Sequence, residues 1–113
     1  MKVKVSEATK LQLNWMVAKA LGLYILLHGN EVFVNGDLHE DSYDPAGNWA
    51  QGGPIIEREK LTLSDCGGGW AAGLCGTLNS FGPTALVAVC RCFIVSRLGG
   101  EVEVPEELCT PST

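Results

Sequence analysis

Positive charge is scarce in this sequence. Eight Lys and Arg stand against 13 Asp and Glu, a formal net charge of −5. Gripping a nucleic-acid backbone by charge needs a basic surface, so this composition argues against nucleic acid as a partner. A small anion held by one or two arginines stays open. Long apolar runs are missing too. The longest, Ala85 to Val95, is broken by Arg91 and is too short for a membrane span. The opening MKVKVSEATK is polar and alternating, without the apolar run of a signal peptide. The expectation is a soluble cytoplasmic protein. Histidine occurs only as His28 and His39. The five cysteines, Cys66, Cys75, Cys90, Cys92 and Cys109, form neither a CxxC pair nor a Cys/His pair at zinc-finger spacing. Their odd count and uneven spacing argue against a secreted disulfide framework. Free thiols acting as small hydrophobes are expected, with no metal and no cofactor.

Catalytic constellations are equally sparse. Ser, His and Asp all occur, but no triad can be placed. The glycines at 67–69 lack the lysine, the spacing and the helix of a phosphate loop. No catalytic residue is assigned.

What is present reads as one α+β domain over residues 1–108, followed by a frayed tail, 109–113. Lys2 to Val5 alternate like a short strand. Thr9 suits the cap of a helix from about Lys10 to Leu21, and Ser6 would cap one that starts a turn earlier; Leu11, Trp15, Ala18 and Leu21 form its inner stripe. Tyr24–His28 and Glu31–Val34 are β-prone runs joined by Gly-Asn, a hairpin signal. Residues 35–54 are acidic and rich in turn formers, and read as a long loop. Strands are expected over 55–63 and 70–74. Pro83 opens a second helix that runs to about Leu98 and is apolar on most sides. Such a helix is either central or also covers a second subunit, so a homo-oligomer is expected, most simply a dimer. EVEVPEEL reads as an edge strand. The sum is two helices packed on a mainly antiparallel sheet of four to five strands.

Binding residues are sought in DPAGNWAQGGPIIEREKLTL, residues 44–63. As a loop, it would offer Trp49 to stack on a base-like ring. Gln51 would meet a ring edge, and the Gly52 and Gly53 backbone could approach a phosphate or ribose. Trp49 could instead fold back onto the core. Arg58 and Arg91 are the candidate cations. Arg91 interrupts an apolar helix and must reach solvent, a carboxylate or an anionic ligand, because an unpaired buried charge is costly. Glu57 and Glu59, two apart on a strand, would share a face and form a candidate acid–base pair. Trp15 and Trp70 read as core.

Three blocks resemble one known family. NWAQGGPIIERE (48–59), LNWMVAKALG (13–22) and GPTALVAVCRCFIVSRLGGEVEVPEEL (82–108), with the opening MKVKVSE, are similar to the NinX-like family of small bacteriophage proteins. The resemblance implies a phage gene product working in a host cytoplasm, and it does not imply an enzyme. In that setting three functions remain open. One is a non-catalytic module that sequesters a nucleotide-like small molecule, such as a messenger of host immunity. The others are a protein–protein inhibitor or adaptor of a host factor, and a small nucleotide-modifying hydrolase built on Glu57 or Glu59.

Overall fold

A computed structural model of the chain describes residues 1–28, 31–34, 42–74 and 78–108. The described residues form three α-helices and seven strands, so the class is α+β as expected. The helices are α1 (Lys10–Ala20), α2 (Trp49–Glu59) and α3 (Ala85–Leu98). The strands are β1 (Lys2–Lys4), β2 (Ile25–His28), β3 (Glu31–Val34), β4 (Leu61–Asp65), β5 (Trp70–Leu74), β6 (Leu78–Gly82) and β7 (Glu101–Glu103). Instead of one sheet there are three antiparallel ones: β1–β7, β2–β3 and β4–β5–β6.

Of the two caps that the sequence offers, Thr9 starts the first helix. Thr9 Oγ1 accepts from the Gln12 amide at 3.2 Å, and Gln12 Oε1 accepts from the Thr9 amide at 3.0 Å. This reciprocal capping box satisfies two amides that a helix start leaves open. The buried face of α1 differs from the expected stripe. It comprises Gln12, Leu13, Asn14, Met16, Val17 and Ala18, while Leu11, Trp15 and Leu21 are half-buried. Two polar side chains face inward because each serves a distant backbone group: Gln12 Nε2 donates to the Leu108 carbonyl at 2.9 Å, and Asn14 Oδ1 accepts from the Ala46 amide at 3.0 Å.

The central element is α3, packed against α1, α2, β5 and β6. Ala85 to Cys90 are all buried, as are Cys92, Phe93 and Ile94. Its apolar circumference is thus used within one chain. Of the two roles that the sequence leaves open for this helix, the fold uses it as the central one. Thr84 caps this helix, accepting from the Val87 amide at 3.2 Å. Pro83 therefore lies just outside the helix rather than in its first turn. β6 was not anticipated. The sheet face carrying Ala72 and Gly82 lies against α3: a Cβ on Gly82 would fall 2.7 Å from the Ala88 nitrogen. The short β1–β7 ladder sets Lys2 opposite Glu103 and Lys4 opposite Glu101, matching charge across the strands.

The largest correction concerns residues 44–59. Residues 35–41 lie outside the described set, but 49–59 form a helix, not a loop running into a strand. Asn48 Oδ1 accepts from the Ala50 amide at 2.9 Å and starts it. Lys60 ends it in a left-handed conformation, φ 57°. Pro54 sits inside. The carbonyl it cannot serve belongs to Ala50, an exposed residue in the first turn. Gly52, Ile55, Ile56 and Glu59, at i, i+3, i+4 and i+7, form its inner face, all buried or half-buried. β4 begins only at Leu61.

Candidate functional site

The candidate residues do not form one site. Five of the six lie on α2. Trp49 is 57% exposed and caps no core. Gln51 is committed to the turn before the helix: its Oε1 accepts from the Asp44 amide at 2.6 Å, and its Nε2 donates to the Ser42 carbonyl at 3.3 Å. Gly52 is buried, and a Cβ there would lie 2.3 Å from the Pro45 carbonyl oxygen. Its lack of a side chain serves close packing. Gly53 is the open one, with only Trp49 Cε3 within reach, at 3.9 Å.

Arg58 is engaged nearby. Its Nε donates to Glu59 Oε2 at 3.0 Å, and its guanidinium lies 5.9 Å from the Phe93 ring centre. Arg97 joins from α3, donating to both Glu59 oxygens at 2.9 and 3.1 Å and covering the same ring at 5.1 Å. Two cations thus converge on one carboxylate over one aromatic face. On a helix Glu57 and Glu59 point to different sides, so the acid–base pair expected on a strand is not assembled. Burial pushes the Glu59 pKa up, but hydrogen bonds and charge from Arg97 and Arg58 outweigh it and leave the group below its usual range. A carboxylate held ionised suits an ion pair rather than a proton donor. Because the folded pKa lies below the unfolded one, the resulting stabilisation is complete above the unfolded value of about 4.3. It is lost as pH falls through the folded value. The difference in melting temperature between the native protein and Glu59→Gln should therefore shrink between pH 7 and about pH 3. A gap that stays constant over that range would show that the charge contributes nothing.

Arg91 lies elsewhere, on α3 in the wall of a cleft of about 730 Å³. This cleft runs beside β6, the edge strand of the three-stranded sheet. Its other walls come from the Val5–Glu7 3₁₀ turn and the glycine turn before β5. None of the five α2 candidates lines it. Arg91 Nη1 donates to the Phe81 carbonyl at 2.8 Å, and Nη2 donates to the Ala8 carbonyl at 3.3 Å. Nε is buried without a partner. Burial lowers the Arg91 pKa, yet guanidinium stays protonated in proteins. Among the described residues no carboxylate pairs with it.

Two aromatic residues also line the cleft. Phe81, on β6, is 62% exposed, and Trp70, at the start of β5, is 37% exposed. Trp70 is thus a cleft residue rather than a core one. The two stand on adjacent strands but on opposite faces of the sheet: Trp70 is paired with Gly82, on the face towards α3, and Phe81 with Ala71, on the other. The glycine turn fits closely behind them: a Cβ on Gly69 would lie 2.7 Å from the Gly82 carbonyl oxygen. The sequence reading takes Trp70 for a core residue and does not mark this cleft. What hid it was β6, whose short LNSFG carries no alternation strong enough to mark a strand.

Cys66 lies exposed at the rim, and Cys90 and Cys92 are buried. All three are free thiols, while Cys75 and Cys109 fall outside the described residues. Burial and the nearby Asp44 charge push Cys90 up to about 12, so it is protonated and inert at neutral pH. Among the described residues no group of three His, Cys, Asp or Glu side chains could hold a metal ion, and no helix is long and apolar enough to cross a membrane.

No curated protein matches the chain. The model of one family, described as Bacteriophage P22, NinX, matches residues 4–97, most of the 113. The match spans α1, α2 and α3 together with the cleft residues Trp70, Phe81 and Arg91, and the chain belongs to that NinX family.

Proposed function

We propose that this phage protein is a non-catalytic binder that captures and sequesters a nucleotide-like small molecule in the host cytoplasm. Messengers of bacterial immunity are the ligand class in view. The observation that carries the reading is Arg91, a partly buried cation held, among the described residues, by carbonyls and no carboxylate, in a protein of net charge −5 and in a cleft that the half-exposed Trp70 also lines. A cation desolvated without a carboxylate gains from an incoming anion. Trp70, on the sheet face towards α3, supplies a face for a flat ring, worth about 1–3 kcal/mol per stacked base. The cleft volume lies within the usual range for small-molecule sites. No Asp, Glu or His among the described residues lines it, which favours binding over acid–base chemistry.

The test is capture. Protein mixed with an extract of phage-infected cells, repurified and denatured, should release a nucleobase-containing anion identified by mass spectrometry. Trp70→Ala should retain roughly a tenth of it or less, and Trp49→Ala should retain the full amount. Release of no such compound would sink the reading. Loss on Trp49→Ala instead would move the ligand to the exposed tryptophan of α2. A second reading, an adaptor for a host protein, is favoured by Phe81, which projects an apolar ring from an edge strand. Capture of a host polypeptide that competes with no nucleotide would favour it.

A further inference from the structure

We infer that the ligand of the Arg91 cleft presents a single negative charge: a base joined to one cyclic phosphodiester or one carboxylate, not to a polyphosphate chain. The inference rests on the nucleotide reading above and narrows it. All eight basic side chains of the sequence fall within the described residues, because the segments outside them contain no Lys or Arg. Of the eight, only Arg91 lines the cleft. Arg58 and Arg97 are spent on Glu59 and Phe93. Lys4 adjoins the cleft residue Val5, but it stands opposite Glu101 in the β1–β7 ladder. The cleft's flanks add negative charge: Glu7 follows the lining residue Ser6, and Asp65 precedes the lining residue Cys66.

The geometry of Arg91 sets the same limit. A guanidinium has five N–H donors. One on Nη1 goes to Phe81, one on Nη2 goes to Ala8, and the Nε donor is buried. One donor remains on each terminal nitrogen. Two donors on neighbouring nitrogens are enough for the two oxygens of one phosphate or carboxylate, a bidentate contact, and for no more. Further phosphates would meet no cation, within a protein whose net charge already repels them.

Calorimetric titration of the native protein at low salt tests this with a charge ladder for each of adenine, guanine, cytosine and uracil. The ladder runs from the nucleoside through the 3′,5′-cyclic monophosphate to the 5′-triphosphate. For the base that binds, the cyclic monophosphate should bind about tenfold tighter than both the nucleoside and the triphosphate. Arg91→Gln should bring the cyclic monophosphate down to the nucleoside's affinity and leave the nucleoside unchanged. The affinity order is read on the native protein, so the result stands even if the variant folds poorly. A triphosphate that binds as tightly as the cyclic monophosphate overturns the single-charge inference and leaves the nucleotide reading standing. Failure of every compound to bind overturns both.

Discussion

Gly52→Ala is expected to cost about 2–3 kcal/mol and to lower the melting temperature by roughly 10 °C. An added Cβ would lie 2.3 Å from the Pro45 carbonyl oxygen and 2.7 Å from Leu86 Cδ2. The leucine tip can rotate, but the carbonyl belongs to backbone. It is part of the turn whose amides at Gly47 and Asn48 already bond to Asp44. Relief therefore requires α2 to lift away from α3 and from the 44–48 turn together. Gly53→Ala is the matched control. It sits one residue along the same helix, meets only Trp49 Cε3 at 3.9 Å, and should stabilise by about 0.5–1 kcal/mol, the ordinary gain of alanine over glycine in a helix. Thermal melts of the two variants read the contrast directly. Equal melting temperatures would mean that α2 does not pack on the Pro45 turn.

Those two glycines also show how far the sequence could be read. Gly-Gly-Pro between acidic turn formers looks like a loop, because each of the three residues is a poor helix former on its own. Tertiary packing overrides that propensity. Gly52 is needed where two backbones approach, and Pro54 loses only a bond to an exposed carbonyl. The signal that was available is the helical spacing of Gly52, Ile55, Ile56 and Glu59, visible only if glycine counts as a core residue. α1 was legible from its Thr9 cap, and α3 from its apolar content, which agrees with its packing. The inner face of α1 was not, because Gln12 and Asn14 are polar by type and buried by function. Arg91 was the legible part of the candidate site, since a charge inside an apolar helix must be accounted for. The cleft residues Phe81 and Trp70 come from the paired strands β6 and β5. No local pattern says that this pair of strands folds against the Val5–Glu7 turn, a contact between segments some 75 residues apart.

Asn14→Ala should be comparably severe, at about 2–4 kcal/mol. Asn14 is buried on α1 and works at both ends of its amide. Oδ1 accepts from the buried Ala46 amide at 3.0 Å, and Nδ2 donates to Asp44 Oδ1 at 2.9 Å. The orientation is fixed by the partners, because only an oxygen can accept from a backbone amide and only a nitrogen can donate to a carboxylate. Alanine would leave the Ala46 N–H buried and unpaired and would take a donor from Asp44. It would also open a void against a turn that Gln51 clamps from the other side. Hydrogen exchange should show the loss first as faster exchange over residues 42–59, since that turn seats the Asn48 cap of α2. Asn14→Asp separates the hydrogen bonds from the volume. One oxygen can still accept from Ala46, but the other would face Asp44 as a like charge about 3 Å away. Such a pair holds one shared proton, so its uptake pKa is raised in the folded state. A raised carboxyl pKa means the folded protein binds the extra proton more readily than the unfolded chain. Stability relative to the native sequence should therefore recover as pH falls from 7 towards 5. Asn14→Ala should show no such recovery. If both variants track the native protein in parallel over that range, Asn14 and Asp44 are not in contact.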